Sequence, residues 1–366
     1  GCLGFTGGMQ PRKIDLKPSE MDRMSYRRSF AVFLLAGFNL GLIWPVGHAT
    51  AQDDAAPRFV FPAGCEIGQD CWFFAYMDHD PSDRYRDHMG GVRTYEAHKG
   101  TDIAPTDPLG PVAVIAAADG VVLGVRDGMD DSLMRVHDET RMAAQCGNGV
   151  RIDHGAGWTS QYCHLQRDSV AVRTGTHVIA GQLLGWVGSS GNSNFRHLHF
   201  QVERNGRPVD PFDGATASTP PQGEATGAAN QPLWKSAEAR EISDYTPLVI
   251  YRAGIATGAA EQDRALYEGY PDTASVSVDA LVGYIVLLGV SDGTTVDTLI
   301  TGPGGQRLFE NRRTLDQDAA RAFSFAGTRR KVSAWAPGEY QVRFVVAGEG
   351  PTGDFELQAQ KSIVLE

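Results

Sequence analysis

Short apolar runs cut by glycine recur through the middle of the chain. Residues 112–116, 120–125, 149–152, 183–187 and 198–202 have the length and β-branched content of buried strands. No helical periodicity of comparable length competes with them. The runs at 149–154 and 158–164 flank Gly155-Ala156-Gly157, a hairpin signal. The pattern predicts an all-β, mainly antiparallel core between about 59 and 212, with 126–144 a polar, part-helical insertion between two strands.

Residues 214–232 are rich in Ala, Thr, Gly, Pro and Gln and have little to bury, as a linker does. Beyond it, strand-like runs at 246–251, 274–278, 283–290, 297–301, 322–325 and 340–346 alternate with turns. That spacing predicts an immunoglobulin-like β-sandwich of about seven strands. No internal repeat links the two regions.

The amino-terminal pattern is different. Residues 1–23 show no useful periodicity, and Met24 makes a better start. Arg27 and Arg28 precede an apolar run at 30–46 that contains Pro45, and Ala49-Thr50-Ala51 has the small-x-small form of a cleavage site. The expectation is a secretory signal peptide cut after Ala51. A membrane anchor is the rival, but the run is short, ends in proline and lacks a basic stop-transfer flank after it. The expected organisation is upstream segment and leader at 1–51, first domain at 52–213, linker at 214–232 and accessory sandwich at 233–366. The destination is secreted or periplasmic, with no stable membrane span after cleavage.

Composition adds two constraints. A formal net charge of -11 argues against a nucleic-acid partner, which calls for a basic face. Export also changes how the cysteines read. With Cys2 lost with the leader, Cys65 with Cys71 and Cys146 with Cys163 are expected as two disulfides. Cys146 and Cys163 fall nearly opposite each other across the predicted hairpin, so their bridge would brace the strand that ends at His164. A cysteine metal site is the rival, but the spacing fits no zinc ribbon or finger.

Candidate chemistry gathers around Arg196-His197-Leu198-His199-Phe200. Two histidines one residue apart on a strand share a face. Upstream, His98-Lys99-Gly100-Thr101-Asp102 offers an imidazole and a carboxylate, and Tyr162-Cys163-His164-Leu165 offers another imidazole. A catalytic zinc takes three protein ligands and leaves a fourth position for water, whose pKa it lowers toward about 7. His98, Asp102 and one of His197 and His199 would make such a set. The residue types leave open which of those two binds the metal.

These three motifs resemble the signatures of the lysostaphin/LytM-type zinc metallopeptidases, peptidase family M23. The stretches 118–122, 175–182 and 185–192 are also similar to that family, in the right order, from about Ala97 to Phe212. The resemblance implies a β catalytic domain with His98, Asp102 and His199 as ligands of one Zn2+ and His164 and His197 as catalytic, non-ligand histidines. It implies hydrolysis of peptide bonds in peptidoglycan cross-links, with peptide stems as the partner. The 126–144 segment departs from the family pattern and puts substrate preference in doubt, not the reaction.

Other residues read more plainly. His79, His88, His137 and His177 are taken as ordinary surface or hydrogen-bonded core histidines. His154 is expected to hydrogen-bond toward a ligand or loop, and Tyr162 to pack or hydrogen-bond near the site. Asn194 and Arg196 either contact substrate or shape a turn. The run 188–192 misses the serine-hydrolase elbow and reads as a turn, and the aspartates of 127–138 lack calcium-loop spacing. A non-catalytic relative that binds the wall or activates another hydrolase is the alternative function. Possession of all five site residues favours the enzyme, and a generic binding protein with structural histidines is a third reading. The carboxy-terminal region, with no titratable cluster, is assigned packing or binding of a regulatory protein.

Overall fold

The first region forms ten strands, the five glycine-cut runs and the predicted hairpin among them. They are β1 (Cys71–Ala75), β2 (Thr101–Pro105), β3 (Ala113–Ile115), β4 (Gly120–Arg126), β5 (Gly149–Gly155), β6 (Trp158–Cys163), β7 (His177–Val178), β8 (Leu183–Trp186), β9 (Leu198–Arg204) and β10 (Arg207–Val209). The structure is a computed structural model that describes residues 55–107, 109–132, 139–216, 231–235 and 245–366. The predicted leader, Cys2, His137 and most of the predicted linker lie outside those residues. No described helix is long and apolar enough to cross a membrane.

The main sheet runs β1-β2-β9-β6-β5-β4-β7, with β10 beside the far end of β9, and β3 pairs β8 separately. Every pairing in it is antiparallel. The β5–β6 hairpin turns at Gly155, whose φ of 83° is open to glycine but costly for other residues. Of the predicted insertion, Glu139–Ala143 is a short helix. Its buried Arg141 donates to the backbone carbonyls of Ser132, Ser189 and Gly191. Both expected disulfides are formed, Cys65–Cys71 and Cys146–Cys163.

One face of this sheet is a core that includes Phe59, Phe73, Ile103, Ile152, Tyr162, Phe200 and Val202. Leu233 and Trp234, which the sequence assigns to the start of the second region, complete that core. Trp234 bridges Phe59 in a parallel contact.

Beyond residue 245 come β11 (Val249–Ala256), a helix at Gln262–Tyr267, β12 (Thr273–Ala274), β13 (Ala280–Val290), β14 (Thr295–Thr301), β15 (Arg307–Thr314), β16 (Ala319–Arg329), β17 (Gly338–Gly350) and β18 (Gly353–Leu365). They form two sheets, β11-β13-β16 and β12-β18-β17-β14-β15. The sheets share a core of Leu281, Ile285, Leu287, Ile300, Val342, Phe344 and Ile363. One pairing, β12 with β18, is parallel.

The unbroken apolar run of β13 has a direct cause. Alternate residues face opposite sides of a strand, and here both sides are covered. Ile285 and Leu287 face the shared core, whereas Tyr284, Val286 and Leu288 join Phe74, Ala104, Phe195 and Tyr251 in a third cluster. That cluster joins the two regions, and the Tyr251 hydroxyl donates to the Pro105 carbonyl at 2.8 Å.

Candidate metal centre

Register assembles the site. His199 of β9 lies opposite Asp102 of β2 on one side and Cys163 of β6 on the other. Directly paired residues of antiparallel strands point to the same face. His199 and Asp102 therefore meet on the face opposite the core. Tyr162 pairs with Phe200 and points the other way. Gly100 allows the close approach, because a Cβ there would sit 2.9 Å from the His199 ring and 2.6 Å from the Phe200 carbonyl oxygen.

Three donor atoms converge. His98 Nε2 is 3.1 Å from Asp102 Oδ1 and 3.1 Å from His199 Nδ1, and the last two are 2.9 Å apart. The outer nitrogens fix the tautomers. His98 Nδ1 donates to the Tyr76 carbonyl at 2.6 Å, and His199 Nε2 lies 3.3 Å from Gln201 Oε1. In their neutral forms both imidazoles then aim lone pairs inward, at each other and at a carboxylate oxygen. Three acceptors that close together call for a proton or a metal cation between them. Zinc ligands at about 2.0–2.2 Å define tetrahedral edges of roughly 3.3–3.6 Å, a few tenths of an ångström longer than this triangle.

Electrostatics follow from burial. Burial alone would raise the Asp102 carboxyl, but His98, His197 and His199 around it hold it well below the usual carboxylate range. Burial would lower His199, yet the hydrogen bond and charge of Asp102 outweigh it and raise that imidazole. Without a metal, a proton on His199 is the remaining way to relieve the three acceptors, so proton and cation compete for one place.

His164 and His197 stand beside this triangle. Their rings are 4.6 Å apart, and the His164 ring lies 6.0 Å from that of His199. His164 Nδ1 donates to the Ser190 carbonyl at 2.7 Å, and His197 Nδ1 to the Phe195 carbonyl at 3.0 Å. His197 Nε2 is 3.6 Å from Asp102 Oδ1. Burial is the main cause that lowers both imidazoles, His164 well below its ordinary value. Neutral rings with Nδ1 engaged keep Nε2 for proton chemistry. His164 adopts φ 65°, a left-handed turn that swings it out of the strand direction after Cys163.

A cleft of about 450 Å³ opens over these groups, lined by His98, His164 and His199 together with Lys99, Gln145, Gln161 and Asn192. Gln161 and Gln201 face each other across β6 and β9 on the cleft side. Asn194 is exposed and is not among the lining residues. His154 and Tyr162 lie on the core side, in a chain from the Asp119 carbonyl through His154 and Ser160 Oγ to the Tyr162 hydroxyl. Arg196 donates to the Gly110 and Val187 carbonyls and ties down the turn before β9.

Two partners were absent from the sequence reading. Tyr95 stacks on His98 with centroids 4.2 Å apart and donates to Asp102 Oδ2 at 3.2 Å. Its place three residues before His98 is the one available signal. The Ser190 carbonyl orients His164, and a backbone acceptor leaves no mark in side-chain identity.

Comparison with known proteins places a name on this stretch. Residues 96–211 match Peptidase family M23. The DD-carboxypeptidase/endopeptidase Mpg of Neisseria meningitidis is 34% identical over 140 residues, 38% of this chain and 27% of that protein. The peptidoglycan DD-endopeptidase ShyA of Vibrio cholerae is 34% identical over 113 residues, 31% of this chain and 22% of that one. The chain thus spans about a quarter of the length of these relatives. The catalytic domain of lysostaphin from Staphylococcus simulans superposes with 24% identity and a TM-score of 0.25, over 37% of this chain and 85% of that one.

Proposed function

With residues 96–211 a domain of peptidase family M23, we propose that the chain is an exported zinc endopeptidase that cleaves peptide bonds in peptidoglycan cross-links. The observation that carries the reading is the convergence of His98 Nε2, Asp102 Oδ1 and His199 Nδ1 within 3.1 Å of one another, with the outer nitrogens of both imidazoles turned to other partners. The names of the Neisseria and Vibrio relatives support the substrate class.

In this reading His98, Asp102 and His199 hold one zinc, whose Lewis acidity acts on water and on the scissile carbonyl. The remaining steps belong to side chains. Tyr95 fixes the second carboxylate oxygen of Asp102, so Oδ1 stays turned inward. His164, held by Ser190 and kept neutral by burial, accepts a proton at Nε2 as the nucleophile forms and returns it to the leaving amine. His197, stacked on Phe195 with centroids 4.2 Å apart, keeps Nε2 near Asp102 and stabilises the oxyanion only once that nitrogen takes up a proton. Gln161, Gln201 and Asn192 line the path of an extended peptide stem.

The peptidase domain, begun after a leader cut at Ala51 and completed by Leu233 and Trp234, precedes an accessory two-sheet region. The third apolar cluster seats that region against the edge of the catalytic sheet. Incubation of the purified chain with peptidoglycan sacculi, with muropeptides resolved by mass spectrometry, tests the activity. Cross-linked dimers should give way to monomers, and a chelator should stop the conversion. Unchanged muropeptides at one zinc per chain would point instead to a binding or activating role.

A further inference from the structure

A second cluster of metal-ligating groups lies away from the cleft. His79 and His88 belong to the long connection between β1 and β2, and Asp210 and Asp213 follow β10. Their exposures are 0%, 6%, 0% and 1%, so all four must be compensated within the protein. His79 Nε2 is 2.9 Å from Asp210 Oδ2. One donor atom each from His79, Asp210 and Asp213 lies within 4.8 Å of the others.

His88 supplies the independent observation. Its side chain is 7% exposed, and its Nδ1 sits 3.8 Å from Asp210 Oδ2, too far for a hydrogen bond. That nitrogen has no hydrogen-bond partner among the described residues. Its direction is fixed by packing, because the ring stacks on Phe212 at 5.0 Å and meets Tyr76 and Tyr245 edge-on. A buried polar atom aimed at a carboxylate without reaching it fits a ligand shell better than a hydrogen-bond network.

We propose that His79, His88, Asp210 and Asp213 form a second, structural site for a divalent transition metal, with zinc the expected occupant. Two imidazoles and two carboxylates suit zinc in donor type and number, and four protein ligands close the shell. Charge points the same way. Neutral imidazoles leave two buried negative charges, which one divalent cation cancels. No lysine or arginine pairs with either carboxylate among the described residues. The carboxylates are already oriented, since Phe212 N–H donates to Asp210 and Ala215 N–H to Asp213.

The site ties the β1–β2 connection to the end of the catalytic domain. That connection carries the Tyr76 carbonyl that orients His98, and the Asp78 N–H donates to the His98 carbonyl at 2.9 Å. A metal beside Asp78 thus stabilises the mount of a cleft residue without touching substrate.

The test is zinc counted by mass spectrometry on the full chain, equilibrated with zinc and freed of excess by gel filtration. The wild type should hold two per chain, His199→Ala one, and His79→Gln/Asp213→Asn one. All three substitutions together should leave none. No zinc in folded His199→Ala, or an unchanged count in His79→Gln/Asp213→Asn, would overturn the proposal. Should the variants of this cluster fail to fold, zinc-edge X-ray absorption on His199→Ala decides. A shell of two imidazoles and two carboxylate oxygens supports the site, and any other shell refutes it. Failure of the cleft site alone looks different, with one zinc in both wild type and His199→Ala and none in His79→Gln/Asp213→Asn.

Discussion

The two β regions bury different things. Among the described residues, the only buried polar side chains beyond residue 245 are Thr294, Thr298 and Ser324, and the core there is aliphatic and aromatic. The first region buries Asp78, His79, Asp87, His88, His98, Asp102, His164, His197, Asp210 and Asp213. Strand form follows. In the carboxy-terminal sheets β17 and β18 run 13 residues each in continuous register. In the first sheet no strand exceeds seven residues, and register shifts occur in both regions, at β1, β4 and β5 here and in the β11–β13 and β14–β15 pairings there. Buried titratable groups cost free energy unless partnered, and the register of β2 with β9 supplies one such pair, Asp102 with His199.

The comparison breaks most sharply under substitution. His98→Ala, Asp102→Ala or His199→Ala should remove the cleft zinc and drop activity to background. Phe344→Ala should instead cost about 3–5 kcal/mol of stability, by cavity formation, with the turnover of folded protein unchanged. Zinc content, turnover and chemical denaturation of the four variants check both halves. A Phe344→Ala protein that is stable but inactive would contradict the division.

His164→Gln sharpens it within the site. Loss of a general acid–base typically costs about 10²–10⁴-fold in rate, and zinc content should not change. Zinc lost from the folded variant would mean that His164 is a ligand.

The Cys146–Cys163 bridge closes a sequence separation of 17. A loop of that size is worth about 3 kcal/mol in the unfolded-chain account. Cys146→Ser/Cys163→Ser should therefore lower the melting temperature, and activity should fall with it, because the bridge ends beside His164. An unchanged melting temperature would remove the bridge from the account.

Alkaline pH separates the faces of the catalytic sheet. Burial raises the Tyr162 hydroxyl to about 12, whereas an unfolded tyrosine ionises near 10. Above pH 10 the unfolded chain releases a proton that the folded chain keeps, so stability falls as pH rises from about 10 to 12. Tyr162→Phe should flatten that slope in denaturation curves. A slope unaltered by the substitution would place the alkaline titration elsewhere.

The smallest expected effect is at Ala97, which holds φ 58° immediately before His98. A left-handed conformation costs a non-glycine residue roughly 1–2 kcal/mol. Ala97→Gly should recover about 1 kcal/mol, part of it returned as unfolded-chain entropy, and leave zinc binding intact. Calorimetry measures the change, and destabilisation would show that the strain is illusory.

Most of this architecture was legible because its strands bury at least one continuous face. The run at 283–290 was plain, since β13 is covered on both sides. Strands β15 and β18 were missed because they are polar or alternate weakly, with most of Arg307–Thr314 exposed. Strand β2 was hidden because Thr101 and Asp102 open it with two polar residues and Pro105 closes it, leaving only Ile103 and Ala104 as an apolar run. His98, Asp102, His164, His197 and His199 were readable as motif spacing. His79 with Asp210 was not, because the contact spans 131 residues of sequence. Asn194, read as a substrate contact or a turn residue, is exposed outside the cleft lining, whereas Asn192 lines it.

The central claim is that three inward lone pairs mark the cleft zinc. Diffraction from crystals of the zinc-equilibrated chain, measured on both sides of the zinc edge, tests it directly. The account predicts an anomalous peak at about 2.0–2.2 Å from His98 Nε2, an Asp102 oxygen and His199 Nδ1, with His164 and His197 outside bonding distance. A zinc-equilibrated crystal with no peak among those three atoms, or a peak bonded to His164, would contradict it.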